Sequence, residues 1–126
     1  MFCPCGSNKP FEGCCGPYLE GKKDAPTPEA LLRSSYTAYS LGNLDYIEKT
    51  MRDNALGRFN RKASEKTLEK TTWIQLTVLN SKEEGDSGIV QFMASFKDNG
   101  EVHTMHELST FKKINGKWYY VKGEFN

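Results

Sequence analysis

Apolar positions follow a helical period in the first half of the chain and a strand period in the second. Leu32, Tyr36 and Tyr39 recur at three- and four-residue intervals, which places them along one face of a helix. Thr27 is suited to cap that helix, Pro28 to its first position and Glu29 to the positive end of its dipole, while Gly42 stops it. Asn43 caps a second, shorter helix through about Met51, with Leu44, Ile47 and Met51 on one side. Residues 52–70 are polar and basic, and the only helix expected there lies near Ala63–Lys70.

From Trp73 onward the apolar residues alternate. Strands are predicted over Trp73–Asn80, Ile89–Lys97, Val102–Ile114 and Lys117–Gly123, with a turn at Glu83–Gly88. Asn99-Gly100 and Asn115-Gly116 separate the last three strands, and Asn-Gly marks a two-residue hairpin. Such loops fix a register. Phe96 then faces His103, Ala94 faces Met105, Phe92 faces Glu107 and Val90 faces Ser109, while Phe111 meets Tyr120 and Lys113 meets Trp118. One face carries Val90, Phe92, Ala94, Phe96, Met105, Phe111, Trp118 and Tyr120 and should receive the first helix. The other carries mostly polar residues, with Met93, Leu108 and Val121 among them. Helices followed by an antiparallel meander define an α+β architecture.

Residues 1–22 fit neither pattern. They are rich in Gly, Pro and Cys and nearly devoid of aliphatic side chains, so an ordering force other than burial is expected for them. All four cysteines of the chain lie here, at positions 3, 5, 14 and 15. A disulfide framework spreads its cysteines to close loops across a fold, whereas clustering at one end points to metal or redox chemistry. Four thiolates must converge within a few ångströms to hold zinc, and Gly6, Ser7, Asn8, Lys9, Pro10 and Gly13 supply the turns to bring both pairs together. Gly6 and Gly16 are expected to let backbone N–H groups approach the sulfurs. Iron is the second choice of metal, because sulfur ligands alone do not exclude it. A thioredoxin-type pair would need two intervening residues, which neither pair has.

Composition narrows the function classes. Lys and Arg number 17 against 16 Asp and Glu, so no general attraction to nucleic acid or an anionic membrane is expected. No apolar stretch approaches the roughly 18 residues of a membrane span, and the N-terminus lacks the basic and apolar regions of a signal peptide, so the reading is a cytoplasmic protein.

Cys3-Pro-Cys5-Gly-Ser-Asn-Lys-Pro-Phe-Glu-Gly-Cys14-Cys15-Gly closely resembles the SEC-C motif, a zinc-binding element named after the C-terminal tail of the translocation ATPase SecA. Further stretches are similar to the YchJ family: Ala25-Pro-Thr-Pro-Glu-Ala-Leu, Arg33-Ser-Ser-Tyr36-Thr-Ala-Tyr39, His106-Glu107-Leu-Ser109-Thr-Phe111 and Trp118-Tyr-Tyr120-Val-Lys-Gly123. The resemblance covers most of the chain. It implies a SEC-C element over residues 1–22, with Cys3, Cys5, Cys14 and Cys15 as metal ligands, joined to an NTF2-like cone over residues 23–126. Ser35 stands where the family commonly has a second arginine, which makes a fully basic pocket less expected.

No phosphate loop, nucleophile elbow or paired-carboxylate constellation is present. The first expectation is therefore a non-enzymatic zinc protein. Its SEC-C element, by resemblance to the tail of SecA, would recruit a chaperone or the translation or export machinery. The alternative is a small-molecule binder or enzyme that uses the cone. Glu107 falls in the middle of the apolar face, where a bare carboxylate costs several kcal/mol unless paired, hydrogen-bonded or protonated. Arg33 and Tyr36 are its expected partners, and a pocket lined by Arg33, Tyr36, Glu107, Ser109 and Tyr120 follows. His103 and His106 fall on opposite faces and are not expected to act together. Homodimerisation through Met93, Leu108 and Val121 is a further expectation.

Overall fold

The computed structural model describes residues 1–125. After a 3₁₀ turn at Phe11–Gly13 come five helices, α1 (Gly16–Leu19), α2 (Pro28–Leu41), α3 (Leu44–Lys49), α4 (Asp53–Arg58) and α5 (Arg61–Lys70). Four strands follow: β1 (Thr71–Glu84), β2 (Ser87–Asp98), β3 (Glu101–Ile114) and β4 (Lys117–Phe125). They form one antiparallel meander in the order β1-β2-β3-β4. Among the described residues, no helix is long and apolar enough to cross a membrane.

The helix ends carry the expected caps. Thr27 Oγ1 accepts from the Ala30 N–H at 3.0 Å, Pro28 opens α2, and Gly42 closes it at φ 78°. Asn43 Oδ1 accepts from the Tyr46 N–H at 3.0 Å to begin α3. The polar stretch 52–70 holds both α4 and α5. The latter is capped by Asn60, whose Oδ1 accepts from the Ala63 N–H. Neither helix buries a residue fully, which explains why no apolar stripe announces them.

Both Asn-Gly turns adopt positive φ at each residue: Asn99 at 51° and Gly100 at 86°, Asn115 at 51° and Gly116 at 83°. That conformation matches the right-handed twist of the flanking strands. The β2–β3 register is the one read from the sequence, including Phe92 opposite Glu107 and Val90 opposite Ser109. Phe111 meets Tyr120 and Lys113 meets Trp118 as well. Val121 departs from expectation. A bulge in β4 leaves it unpaired, because Phe111 pairs with Tyr120 and Thr110 with Lys122. The extra residue breaks the alternation, and Val121 is buried rather than exposed, outside the apolar cluster under α2.

Helix α2 lies across β1, β2 and β4. Leu31, Leu32 and Tyr36 from the helix pack with Val90, Phe92, Ala94, Phe111 and Trp118 from the sheet. Gly88 permits this approach, since a Cβ there would overlap the ring of Pro28. The segment after α3 closes one side of the cone by pairing with β4. The Arg52 N–H donates to the Tyr120 carbonyl at 3.0 Å, and the Tyr120 N–H donates to the Thr50 carbonyl at 2.9 Å.

Candidate functional site

The cysteine segment folds back on itself. Phe2 bridges Pro10, the Cys3 N–H donates to the Lys9 carbonyl at 2.8 Å, and the Phe11 N–H donates to the Met1 carbonyl at 3.1 Å. Gly6 at φ 81° and Asn8 at φ 65° supply the reversal. The 3₁₀ turn and α1 then return Cys14 and Cys15 to the first pair.

All four sulfurs lie within 4.8 Å of one another. Cys5 Sγ is 3.6 Å from Cys14 Sγ, which is 4.0 Å from Cys15 Sγ. A tetrahedron with zinc–sulfur bonds of about 2.3 Å has edges of about 3.8 Å, so these separations suit a four-thiolate ion. They are far from a disulfide, and all four cysteines are free. The donor set fits zinc or iron.

The electrostatics of the bare sulfurs point the same way. The Cys15 thiol hydrogen-bonds to Cys5, and against the opposing effect of burial this pushes Cys5 down to about 4, with Ser7 and Cys14 helping. Cys15 is raised by that same hydrogen bond and by burial, and Cys14 is raised mainly by burial. Protein groups alone thus favour the charge on Cys5 over Cys14 and Cys15. Four thiolates at this spacing require a cation.

The cluster is not an isolated tip. Cys3, Cys5 and Cys15 are buried and belong to the same apolar cluster as α2, with Phe11, Tyr18 and Leu19 packed against it. Burial therefore adds to whatever order a metal supplies, contrary to the expectation that nothing else in the segment could. Gly16 also has a steric role. A Cβ there would sit 2.9 Å from the Phe11 carbonyl oxygen and 3.1 Å from its ring, so the glycine allows Phe11 to close over the segment.

Arg33 and Thr37, one turn apart on α2, face the sulfurs. Arg33 Nη1 donates to the Cys5 carbonyl at 2.8 Å and Nε donates to Glu29 at 3.0 Å, while Thr37 Oγ1 lies 3.6 Å from Cys3 Sγ. Arg33 is thus a clamp between α2 and the metal loop, and it does not line the cone or meet Glu107. Its place in the sequence, one turn from Tyr36, does not fix which side of the helix its long side chain follows. Arg33→Ala is expected to cost about 1.5–3 kcal/mol, the usual worth of a hydrogen bond involving a charged group. Denaturation midpoints would measure it, and Arg33→Lys should restore only part because lysine lacks the fork.

The cone itself encloses a cavity of about 640 Å³ between α2, α4, α5 and the inner sheet face. Tyr36, Glu107, Ser109 and Tyr120 all line it, together with Tyr39 and Trp73. Glu107 is only 6% exposed. Ser109 Oγ and Tyr120 OH donate to its Oε2 at 2.5 Å and 3.0 Å. Burial raises the Glu107 carboxyl above its ordinary range, and these two donors offset part of that. His103 stacks near Phe96 and His106 pairs with Met93, so the two histidines do not share a site.

An antiparallel cone under α2, with a four-cysteine cluster at its N-terminal end, is an NTF2-like domain carrying a SEC-C element. Residues 27–123 match the family described as YchJ, middle NTF2-like domain. A UPF0225 protein of Serratia proteamaculans is 38% identical over 97% of this chain and 82% of its own length. The chain belongs to this YchJ-like family. Two solved structures share its fold throughout. The solution structure of RPA3114, a SEC-C motif containing protein from Rhodopseudomonas palustris, has a TM-score of 0.91 at 40% identity and 98% coverage of each chain. The crystal structure of a SEC-C motif containing protein from Psychrobacter arcticus has a TM-score of 0.84 at 31% identity, covering 97% of this chain and 81% of its own.

Proposed function

We propose that this is a zinc protein in which Cys3, Cys5, Cys14 and Cys15 hold one structural ion, and in which residues 1–22 present a recruiting surface on the cone formed by the rest of the chain. The convergence of four sulfurs within 4.8 Å carries this reading. Zinc suits a site with four thiolates and no position left open for substrate. The burial of three of the four cysteines favours a structural over a catalytic ion.

The recruiting role rests on what remains outside. Met1 and Phe2 are 80% and 73% exposed beside the metal loop, with Lys9 and Pro10 also at the surface. Exposed apolar groups flanked by a basic one suit a protein partner. A chaperone or a component of the translation or export machinery, in the cytoplasm, is the proposed partner class. Elemental analysis of protein purified under reducing conditions should give one zinc per chain. A chain with no stoichiometric metal would overturn the reading, and one iron per chain would correct the metal.

A further inference from the structure

Glu107 is a buried carboxylate with no cation of its own. Among the described residues its side chain enters no salt bridge, and its two hydrogen bonds both end on Oε2. Among the described residues Oε1 accepts none and is not sealed off, and Glu107 lines the cavity. Arg33, the cation expected to meet it, is committed to the metal loop.

Aromatic side chains line the same cavity as the carboxylate. Tyr36 and Trp73 meet edge to face at 5.6 Å between ring centroids, and Tyr39 lies 6.2 Å from Trp73, so three rings form one wall of the cavity. Tyr120 stands beside the carboxyl. Aromatic faces attract a desolvated cation, and a carboxylate in a site of low dielectric attracts it more strongly. An anionic or purely hydrogen-bond-accepting ligand gains from neither. Arg58 and Lys122 also border the cavity, but both are exposed, and Lys122 is paired with Glu124 at 3.0 Å. Solvent screens both.

We propose that the cone cavity binds a small organic ammonium compound, with the cationic nitrogen donating to Glu107 Oε1 and the apolar body lying against Tyr36, Tyr39 and Trp73. The volume of about 640 Å³ accommodates a molecule of roughly ten to twenty non-hydrogen atoms, in the ordinary range of ligand pockets. Ser109 and Tyr120 would hold the carboxylate in place by occupying its other oxygen. The cavity lies on the opposite side of α2 from the sulfurs, and the proposal holds whichever metal they take.

The test uses three probes with a common phenyl body: phenethylamine, 2-phenylethanol and phenylacetate. Each is titrated into the full-length metal-loaded protein and followed by NMR shifts of cavity residues. Phenethylamine is expected to bind at least tenfold more tightly than the alcohol, with phenylacetate weakest. Glu107→Gln keeps an acceptor for Ser109 and Tyr120 and should erase the preference of amine over alcohol. Equal binding of amine and alcohol by the unmodified protein would overturn the proposal, as would binding of none of the three. An amine preference that survives in Glu107→Gln would overturn the role of the carboxylate.

Discussion

Cys5→Ser is expected to leave the protein without stoichiometric zinc and to destabilise the N-terminal segment by several kcal/mol. Apparent binding energies for structural zinc in small zinc-finger peptides run to about 10–16 kcal/mol, and a four-thiolate site that loses one ligand forfeits much of this. Cys5 is the severest position to change. It is fully buried, its sulfur is the one thiolate favoured by its neighbours, and its carbonyl receives Arg33. Serine there leaves an unmet hydroxyl among thiols and a gap where the larger sulfur sat. Most of the shared core comes from α2, α3 and the sheet rather than from the loop, so two unfolding transitions should replace one. Hydrogen exchange would separate them, with early exchange confined to residues 1–22 and the facing turn of α2. A single cooperative transition with zinc retained would show that three sulfurs and the surrounding packing suffice.

That division between loop and cone reflects which features a sequence can display. Sheet register is readable because Asn-Gly loops admit only a narrow set of turns, and a two-residue side-chain period leaves one choice of face. Glu107 stands out in this way, as the carboxylate in the middle of the apolar side, and its neighbours Ser109 and Tyr120 come with it. The convergence of the cysteines is legible because four thiols crowded into a segment so poor in aliphatic residues point to a shared site.

What stays hidden depends on distances beyond a turn or a strand pair. Val121 is displayed on the outer face by parity, and neither its burial nor the bulge beside Thr110 is signalled by the pattern. Helix α4 has no buried side to produce a pattern. Arg33 can face either the cone or the metal loop from the same backbone position, and the Cys5 carbonyl decides it. Residues 1–22 read as a separate piece because their apolar content is low. Sulfur itself packs like a small hydrophobe, and three cysteines supply the burial that aliphatic side chains do not.

Gly123→Ala tests the other half of the molecule. Gly123 stands opposite Ser109 in the β3–β4 pairing, and its missing side chain is the space in which the Tyr120 hydroxyl meets Glu107. A Cβ there would overlap Tyr120 OH and lie 2.6 Å from Glu107 Oε2 and 3.0 Å from Cδ. Its backbone is not in the left-handed region, so alanine meets no conformational penalty and the cost is steric alone. Overpacking of this kind typically costs about 1–3 kcal/mol. Displacing Tyr120 from a buried carboxylate adds about 1.5–3 kcal/mol more, because Glu107 then keeps Ser109 as its only donor. Gly57→Ala is the matched control: no atom lies within 4 Å of its Cβ position in α4. Alanine there should stabilise by up to about 1 kcal/mol through helix propensity. Chemical denaturation of both variants in the metal-loaded state reads the contrast directly. Metal content should be unchanged in each, because the cysteines lie across α2 from this pair. A Gly123→Ala protein as stable as the parent would mean that Tyr120 and Glu107 do not hold each other in the arrangement described.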